Sequence, residues 1–401
     1  MKFGGTSVST SEGRLAVSRR VCAALALGRR PVVVVSAMGR KGDPYATDTL
    51  LSLIADLPTD LRERDLLTSV GEVISAVVVA HELRSTGIDA IALTGPEAGI
   101  LTDGIHDRAS ITELHTGPIE SLLSRGAVPV VCGFQGMSAS GAITTLGRGG
   151  SDTTACALGV ALGAEEVEIY TDVDGVMTAD PRTCQAATVL EVIRADELFQ
   201  MARAGSRVVH TPAAEMALAS GLAVRVRSTY SDHPGTRVSD IGALRPDVVA
   251  TAVTCATDIV RLRVDLLADE GSDANMRAQA RVYRALADAS VSLDMFTPVG
   301  HALVFTVSAE ALGRAKRAVD ALRLPCELTP DLAKVTVVGA GMHGVPGVVA
   351  RAIECLSNAG VSVLQTADSH TTISVLIPGG DARTAVSALH DGFNLSTDAT
   401  T

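Results

Sequence analysis

At 401 residues, 47% of them hydrophobic but none Trp and only 2% aromatic, the chain has room for two or more domains with cores of Ala, Val and Leu. A net charge of −11 argues against nucleic acid or an anionic membrane as the main partner, so an anionic ligand would need helix N-termini and a few placed Lys and Arg. Seven Cys without a CxxC pair imply reduced thiols in a cytoplasmic protein, and no apolar run is long enough for a membrane span or signal peptide.

In chain order, residues 1–8 read Met-Lys-Phe-Gly-Gly-Thr-Ser-Val, and the pattern of 11–27 predicts a helix. The run 31–36 is a continuous apolar strand of the kind found inside parallel sheets. Residues 37–42 form a basic turn, and a helix begins near Ala46 and Thr47. A further helix carries Ser69-Val70-Gly71-Glu72, followed by strands at 88–94 and 128–132. The strand 167–170 runs into Thr171-Asp172 and then Asp180-Pro181-Arg182. Alternating strands and helices predict an α/β layer structure with a mainly parallel sheet. Turn formers at 228–236 place a domain boundary just beyond them, near 240.

Past that boundary the chain repeats. Residues 285–292 (ALADASVS) are echoed by 355–362 (CLSNAGVS), each with a strand before the helix (259–266; 334–338) and two after it, and the second copy adds a helix at 382–393. Units this small must pack together or on a partner chain. Residues 339–344 match GxGxxG, with Asp368 at a dinucleotide-like distance. Too little chain follows for a dinucleotide domain, so the match reads as a loop of a small regulatory module.

Residues 144–155, TTLGRGGSDTTA, sit where a strand gives way to a helix. Free backbone N–H groups and the helix dipole attract anions there. Arg148 can grip a carboxylate with two parallel hydrogen bonds, and Asp152 can accept from an ammonium. Taken alone, the segment could equally be a turn with a solvated Arg. Gly4-Gly5, Ser36 and Thr171-Asp172 also fall at carboxyl ends of predicted strands, where ligand sites in such sheets gather. That convergence makes the Arg148 loop a candidate active site.

KFGGTSV at 2–8, SVGE at 69–72, GRGGSD at 147–152 and YTDVDGVMTADPR at 170–182 resemble the signatures of aspartate kinases, in the amino acid kinase superfamily. The resemblance covers nearly the whole chain, because the repeats are similar to the tandem ACT domains of those enzymes. Residues 36–51 and 337–346 are most similar to the lysine- or diaminopimelate-linked bacterial forms. The implied architecture is an αβα sandwich over 1–240 followed by two ferredoxin-like βαββαβ ACT modules, 241–330 and 331–401. The implied reaction is ATP-dependent phosphorylation of the side-chain carboxylate of L-aspartate, with Mg²⁺ carried on the nucleotide phosphates and not held directly by protein side chains.

By motif match, Lys2, Gly4, Gly5, Ser36 and Asp152 form the catalytic group, and Thr47, Glu72, Arg148, Gly149 and Asp152 bind aspartate. ATP falls to Lys2, Gly4, Gly5, Thr6, Thr171, Asp172, Met177, Asp180, Arg182 and Arg207. An amino-acid effector falls to Met342, His343, Gly344, Val345, Pro346, Gln365 and Asp368, in a homo-oligomer. The chain departs from the family pattern at Met177, where Tyr is usual, and at RVVHT (207–211), where KVLHP is usual. These departures keep open a kinase for a related amino acid, or a catalytically weak effector-binding homologue.

Overall fold

Valine-rich runs place the central strands of the first of two compact units. In this computed structural model, which describes residues 1–55, 57–58, 60–206, 211–239, 249–266, 272–342 and 344–396, that unit comprises Met1–Val176, Val189–Ala202 and Arg207–Gly242. Val33–Val35 and Val128–Cys132 are buried at every position, as strands covered on both faces must be. They belong to an eight-stranded sheet ordered Val192–Arg194, Thr236–Ser239, Ala223–Ser228, Glu166–Thr171, Lys2–Phe3, Val33–Val35, Val128–Cys132, Ala90–Leu93. Neighbours are parallel except for Ala223–Ser228 against Thr236–Ser239. Phe3 pairs with both Val35 and Tyr170, and Val35 with Cys132, so four adjacent strands end level. The Phe3 and Tyr170 rings stack at 4.6 Å. Gly4, Ser36 and Thr171 therefore sit together at the carboxyl ends of their strands, as the sequence predicts, and Gly133 joins them.

The helix Leu61–Ser85 is long and apolar enough to cross a bilayer by length and composition alone. Here it is a core helix. Its buried face carries Ala76, Val79, Ala80 and Leu83 into the cluster that holds Phe3, Val33, Val35, Val128 and Val130. Toward its N-terminal end the same face is polar, with Asp65, Thr68, Ser69 and Glu72. A smaller four-stranded sheet, Ile111–Leu114, Ile100–Thr102, Gln135–Ser138, Ile143–Thr145, delivers the chain into the glycine turn at 147–149. The helix after that turn spans Gly150–Ala161, beginning six residues before the periodic stretch at 156.

The second unit comprises Met177–Thr188, Arg203–Ser206 and Ala243–Thr401. Its antiparallel sheet runs Asp294–Val299, Ala302–Ser308, Ala252–Asp265, Cys326–Val338, Thr372–Pro378, Gln365–Asp368. Two cores form, one around Val260, Leu262, Leu286 and Phe305, the other around Val253, Val335, Leu356 and Leu389. Both repeats fold as ferredoxin-like units, but they are not consecutive at residue 330. Cys326–Val338 is one strand through that point, and its second half pairs with the first half of Ala252–Asp265, from Ala252 with Val338 to Ala256 with Lys334. The later repeat has only three strands of its own, and the early strand completes its sheet.

A second departure concerns Met177–Thr188, expected inside a catalytic domain of residues 1–240. Ala179 and Cys184 lie in the core around Val335, the Val253 N–H donates to the Thr178 carbonyl at 2.7 Å, and Thr178 Oγ1 is 2.9 Å from His390 Nε2. Apolar Ala and Cys within a polar loop drive this burial. The expected boundary near residue 240 lies outside the described residues. The GxGxxG stretch is a loop of the second unit, with a short 3-10 turn at Ala340–Met342.

Candidate functional site

Lys2 ends up beside the glycine turn because its strand occupies the middle of the sheet. Its Nζ lies 2.8 Å from Asp152 Oδ1, with the two side chains only 13% and 9% exposed. Asp152 stands in the first turn of Gly150–Ala161, where the helix dipole favours a carboxylate. A buried ion pair of this kind is costly to break from one side, by about 3–5 kcal/mol. The ammonium lies over Gly4, 3.7 Å from where a β-carbon there would stand. Gly5 is packed more tightly: a β-carbon would meet the Ala37 carbonyl oxygen at 2.4 Å and that of Gly39 at 2.8 Å. The Gly39 N–H donates to the Gly5 carbonyl at 3.0 Å, binding the two glycine-bearing turns together. Thr6 follows in the helix Gly5–Val8. Ser36, half-buried, donates its N–H to the Phe3 carbonyl at 3.2 Å.

The glycine turn needs its glycines. Gly147 and Gly149 adopt φ of +72° and +73°, the left-handed region that side-chain-bearing residues avoid. Gly149 caps the helix that carries Asp152. Arg148 between them is exposed.

Glu72 is the anomalous group. It is 2% exposed, its Oε1 accepts from the Ala37 N–H at 3.0 Å, and its Oε2 has no hydrogen-bond partner among the described residues. Burial pushes its carboxyl up to about 8, against the opposing hydrogen bond from Ala37. Next to it, Gly71 leaves space for the Ala37 side chain and the Tyr45 backbone, with a β-carbon there 2.8 Å from Ala37 Cβ and 3.0 Å from the Tyr45 carbonyl oxygen. The segment bearing Thr47 thus lies against the Glu72 helix. Thr47 opens the helix Thr47–Ser52, but Ala46 is the cap residue and no side chain caps it, so capping does not account for that threonine.

Of the residues assigned to ATP, Thr171 and Asp172 close the strand beside Lys2–Phe3, and Asp172 pairs with Arg40 at 3.1 Å. Met177, Asp180 and Arg182 belong to the second unit, where Arg182 pairs with Asp180 at 2.7 Å. Arg207 lies outside the described residues. Among the described residues, no group of three or more His, Cys, Asp or Glu could cage a metal ion.

In the second unit, Met342, Gly344, Val345 and Asp368 line one cavity of about 620 Å³ together with Gly347, Val348 and His370. Pro346 is in the same loop but not among the lining residues. His343 lies outside the described residues. Gln365 is misplaced in the sequence reading: its Nε2 donates to the Met295 carbonyl and to Thr297 Oγ1 at 3.2 Å. Strand alternation and pairing send it toward the other repeat's strand instead of the loop. Gly347, at φ +88°, caps the helix Val348–Asn358, so a helix N-terminus and the Asp368 carboxylate both belong to the cavity wall.

Sequence reading also passed over a buried carboxylate. Asp65, 1% exposed, is bound by His106, Asp107 and Thr145, whereas in sequence it stands in the polar run RERD. The available signal was its place seven residues, two helical turns, before Glu72 on the same face.

Comparison with known proteins matches the amino acid kinase family over residues 1–228 and the ACT domain over 327–391. Aspartokinase 1 of Bacillus subtilis is 42% identical, and the aspartokinase of Thermus thermophilus 37%, each over 98% of both chains. Among solved structures, E. coli aspartokinase III in complex with aspartate and ADP superposes with a TM-score of 0.78 at 25% identity, covering 98% of both chains. Its complex with lysine and aspartate does so with a TM-score of 0.74.

Proposed function

The chain belongs to the aspartokinase family, and from that premise we propose that the Lys2–Asp152 edge of the sheet transfers the γ-phosphoryl group of MgATP to the side-chain carboxylate of L-aspartate. That carboxylate is already an anion at neutral pH, so the reaction needs no general base. It needs alignment and charge neutralisation of a transferring phosphoryl group. Lys2 supplies a point charge at the phosphates, held in place by Asp152. Gly4 and Gly5 let backbone N–H groups approach the phosphates with no side chain between. The metal arrives on the nucleotide as part of the substrate. Thr171 and Asp172 face the nucleotide from the adjacent strand end.

Arg148 clamps the α-carboxylate of aspartate at the helix N-terminus, and Glu72 takes its ammonium. The observation that carries this reading is the 2.8 Å Lys2–Asp152 pair, which joins the phosphate stretch to the glycine turn. A hydroxamate assay with ATP across aspartate, glutamate and aspartate analogues tests it. Selective turnover of aspartate is the expected result; turnover of a different amino acid with none of aspartate would overturn it.

The cavity beside Asp368 is read as an amino-acid effector site, with the Val348–Asn358 helix N-terminus for the carboxylate and Asp368 for the ammonium. Lysine is the first effector to test, because the E. coli relative was solved with it. A place in the lysine branch, a homo-oligomeric state and a cytoplasmic location complete the proposal. Inhibition by lysine, threonine and diaminopimelate, alone and in pairs, tests the effector assignment, since a true effector must show saturable coupling to substrate.

A further inference from the structure

The helix Leu61–Ser85 carries two buried carboxylates on one face, Glu72 in the aspartate site and Asp65 two turns earlier. The hydrogen bonds of Asp65 go to His106, Asp107 and Thr145, none of them assigned to substrate. A buried carboxylate is costly unless several donors surround it, and here three residues supply them. Oδ2 is 2.6 Å from His106 Nδ1, Oδ1 accepts from Thr145 Oγ1 at 2.5 Å, and the Asp107 N–H donates to both oxygens at 3.0 and 3.2 Å. These donors come from the loop after Ile100–Thr102 and from the last residue of Ile143–Thr145.

Both sources lie at the base of the glycine turn. Thr145 stands two residues before Gly147, and its carbonyl accepts from the Ala109 N–H at 2.8 Å. A β-carbon on Gly147 would meet the Asp107 carbonyl oxygen at 3.2 Å, so residues 106–109 run directly against the turn. Asp107 itself is in the left-handed region at φ +68°, a conformation that the hydrogen bonds from its N–H to Asp65 help to hold. Arg64, on the same helix, reaches Asp107 Oδ1 at 3.6 Å.

We propose that Asp65 and His106 are positioning residues for the substrate: the helix that carries Glu72 fixes, through Asp65, the turn that carries Arg148, so that the groups for the two charged ends of aspartate are set by one rigid element. His106 Nδ1–H is the donor that pins the loop, and Thr145 Oγ1–H pins the strand end. This rests on the assignment of Arg148 and Glu72 to aspartate.

Steady-state kinetics on the full chain test it. Asp65→Asn puts an amide among three donors, and His106→Ala removes one donor with little change to the core. Each is expected to raise KM for aspartate roughly ten- to hundredfold, as misplacement of a positioned group by about an ångström does, while KM for ATP stays near the parent value. His106→Asn, whose side-chain N–H can stand where Nδ1–H stood, is expected to restore most of the aspartate KM. If Asp65→Asn does not fold, the His106→Ala and His106→Asn pair carries the test alone. Equal rises in both KM values, unchanged kinetics in His106→Ala, or no rescue by His106→Asn would each overturn the positioning role. Arg148→Ala separates the two layers. A high aspartate KM there with normal Asp65→Asn and His106→Ala enzymes refutes only the positioning pair, whereas an unaltered aspartate KM there refutes the assignment of the turn.

Discussion

Glu72 gives the site a proton to release. With its carboxyl raised to about 8 by burial and Oε2 without a hydrogen-bond partner among the described residues, Glu72 is expected to be mostly neutral in the ligand-free protein at pH 7. An aspartate ammonium placed at Oε2 favours the carboxylate, so binding must expel close to one proton. Ionising the group at pH 7 costs about 1.4 kcal/mol, the equivalent of one pH unit, so aspartate should bind about tenfold more weakly at pH 7 than on the plateau above its pKa. Titration calorimetry in phosphate and in Tris, whose ionisation enthalpies differ, reads the proton directly. The expected result is release of about 0.9 proton per aspartate at pH 7, falling to about a quarter near pH 8.5, below the range in which the ammonium of free aspartate itself titrates, with the release abolished in Glu72→Gln. Binding heats independent of buffer, or proton release undiminished in Glu72→Gln, would refute the reasoning.

The same group makes a stability prediction. Its folded pKa lies above the unfolded one, so the folded state holds the extra proton: the contribution is full below about 4.5 and lost as pH rises through about 8. Without ligand, Tm of the parent should fall relative to Glu72→Gln between pH 6 and pH 9, and parallel Tm–pH curves would contradict the burial. Arg148→Ala should raise KM for aspartate by about two orders of magnitude, the worth of a charge-assisted bidentate contact, while KM for ATP hardly moves. An equal rise in both would reassign the turn. Gly5→Ala sets a β-carbon 2.4 Å from the Ala37 carbonyl, so the strand-end turns must separate. A stability loss of about 1–3 kcal/mol in urea denaturation, with a lower kcat, is expected, and a fully active, equally stable variant would show that the two turns need not touch.

Much of the first unit could be read from the sequence because its signals are local. Valine runs mark strands buried on both faces, and Lys2, Arg148 and Asp152 sit in stretches whose glycines and charges have few other uses. The convergence of Gly4, Ser36 and Thr171 at one sheet edge follows from parallel strands ending level. What escaped was non-local. Nothing near Ala252 announces a partner at Val338, so the sharing of strands between the repeats could not be seen. By motif, Met177, Asp180 and Arg182 read as nucleotide contacts, yet Ala179 and Cys184 give their segment an apolar side that joins the core around Val335. In sequence Asp65 is one charge in the polar run RERD; only the fold brings His106 and Thr145, 41 and 80 residues away, to surround it. Gln365 belongs to the strand expected to contact an effector, but strand pairing turns its side chain to Met295 and Thr297.

If the Lys2–Asp152 edge phosphorylates aspartate, the product is an acyl phosphate. Trapping the acyl phosphate with hydroxylamine, in parent protein and Lys2→Ala with circular dichroism as the check on folding, tests it most directly. ATP- and aspartate-dependent hydroxamate is expected from the parent, with a loss of about a thousandfold or more in a folded Lys2→Ala, as removal of a charge stabilising a phosphoryl transition state produces. A parent that forms no aspartyl hydroxamate would rule out aspartate as the acceptor, and a Lys2→Ala protein that forms it at the parent's rate would rule out Lys2 as the phosphate-neutralising charge.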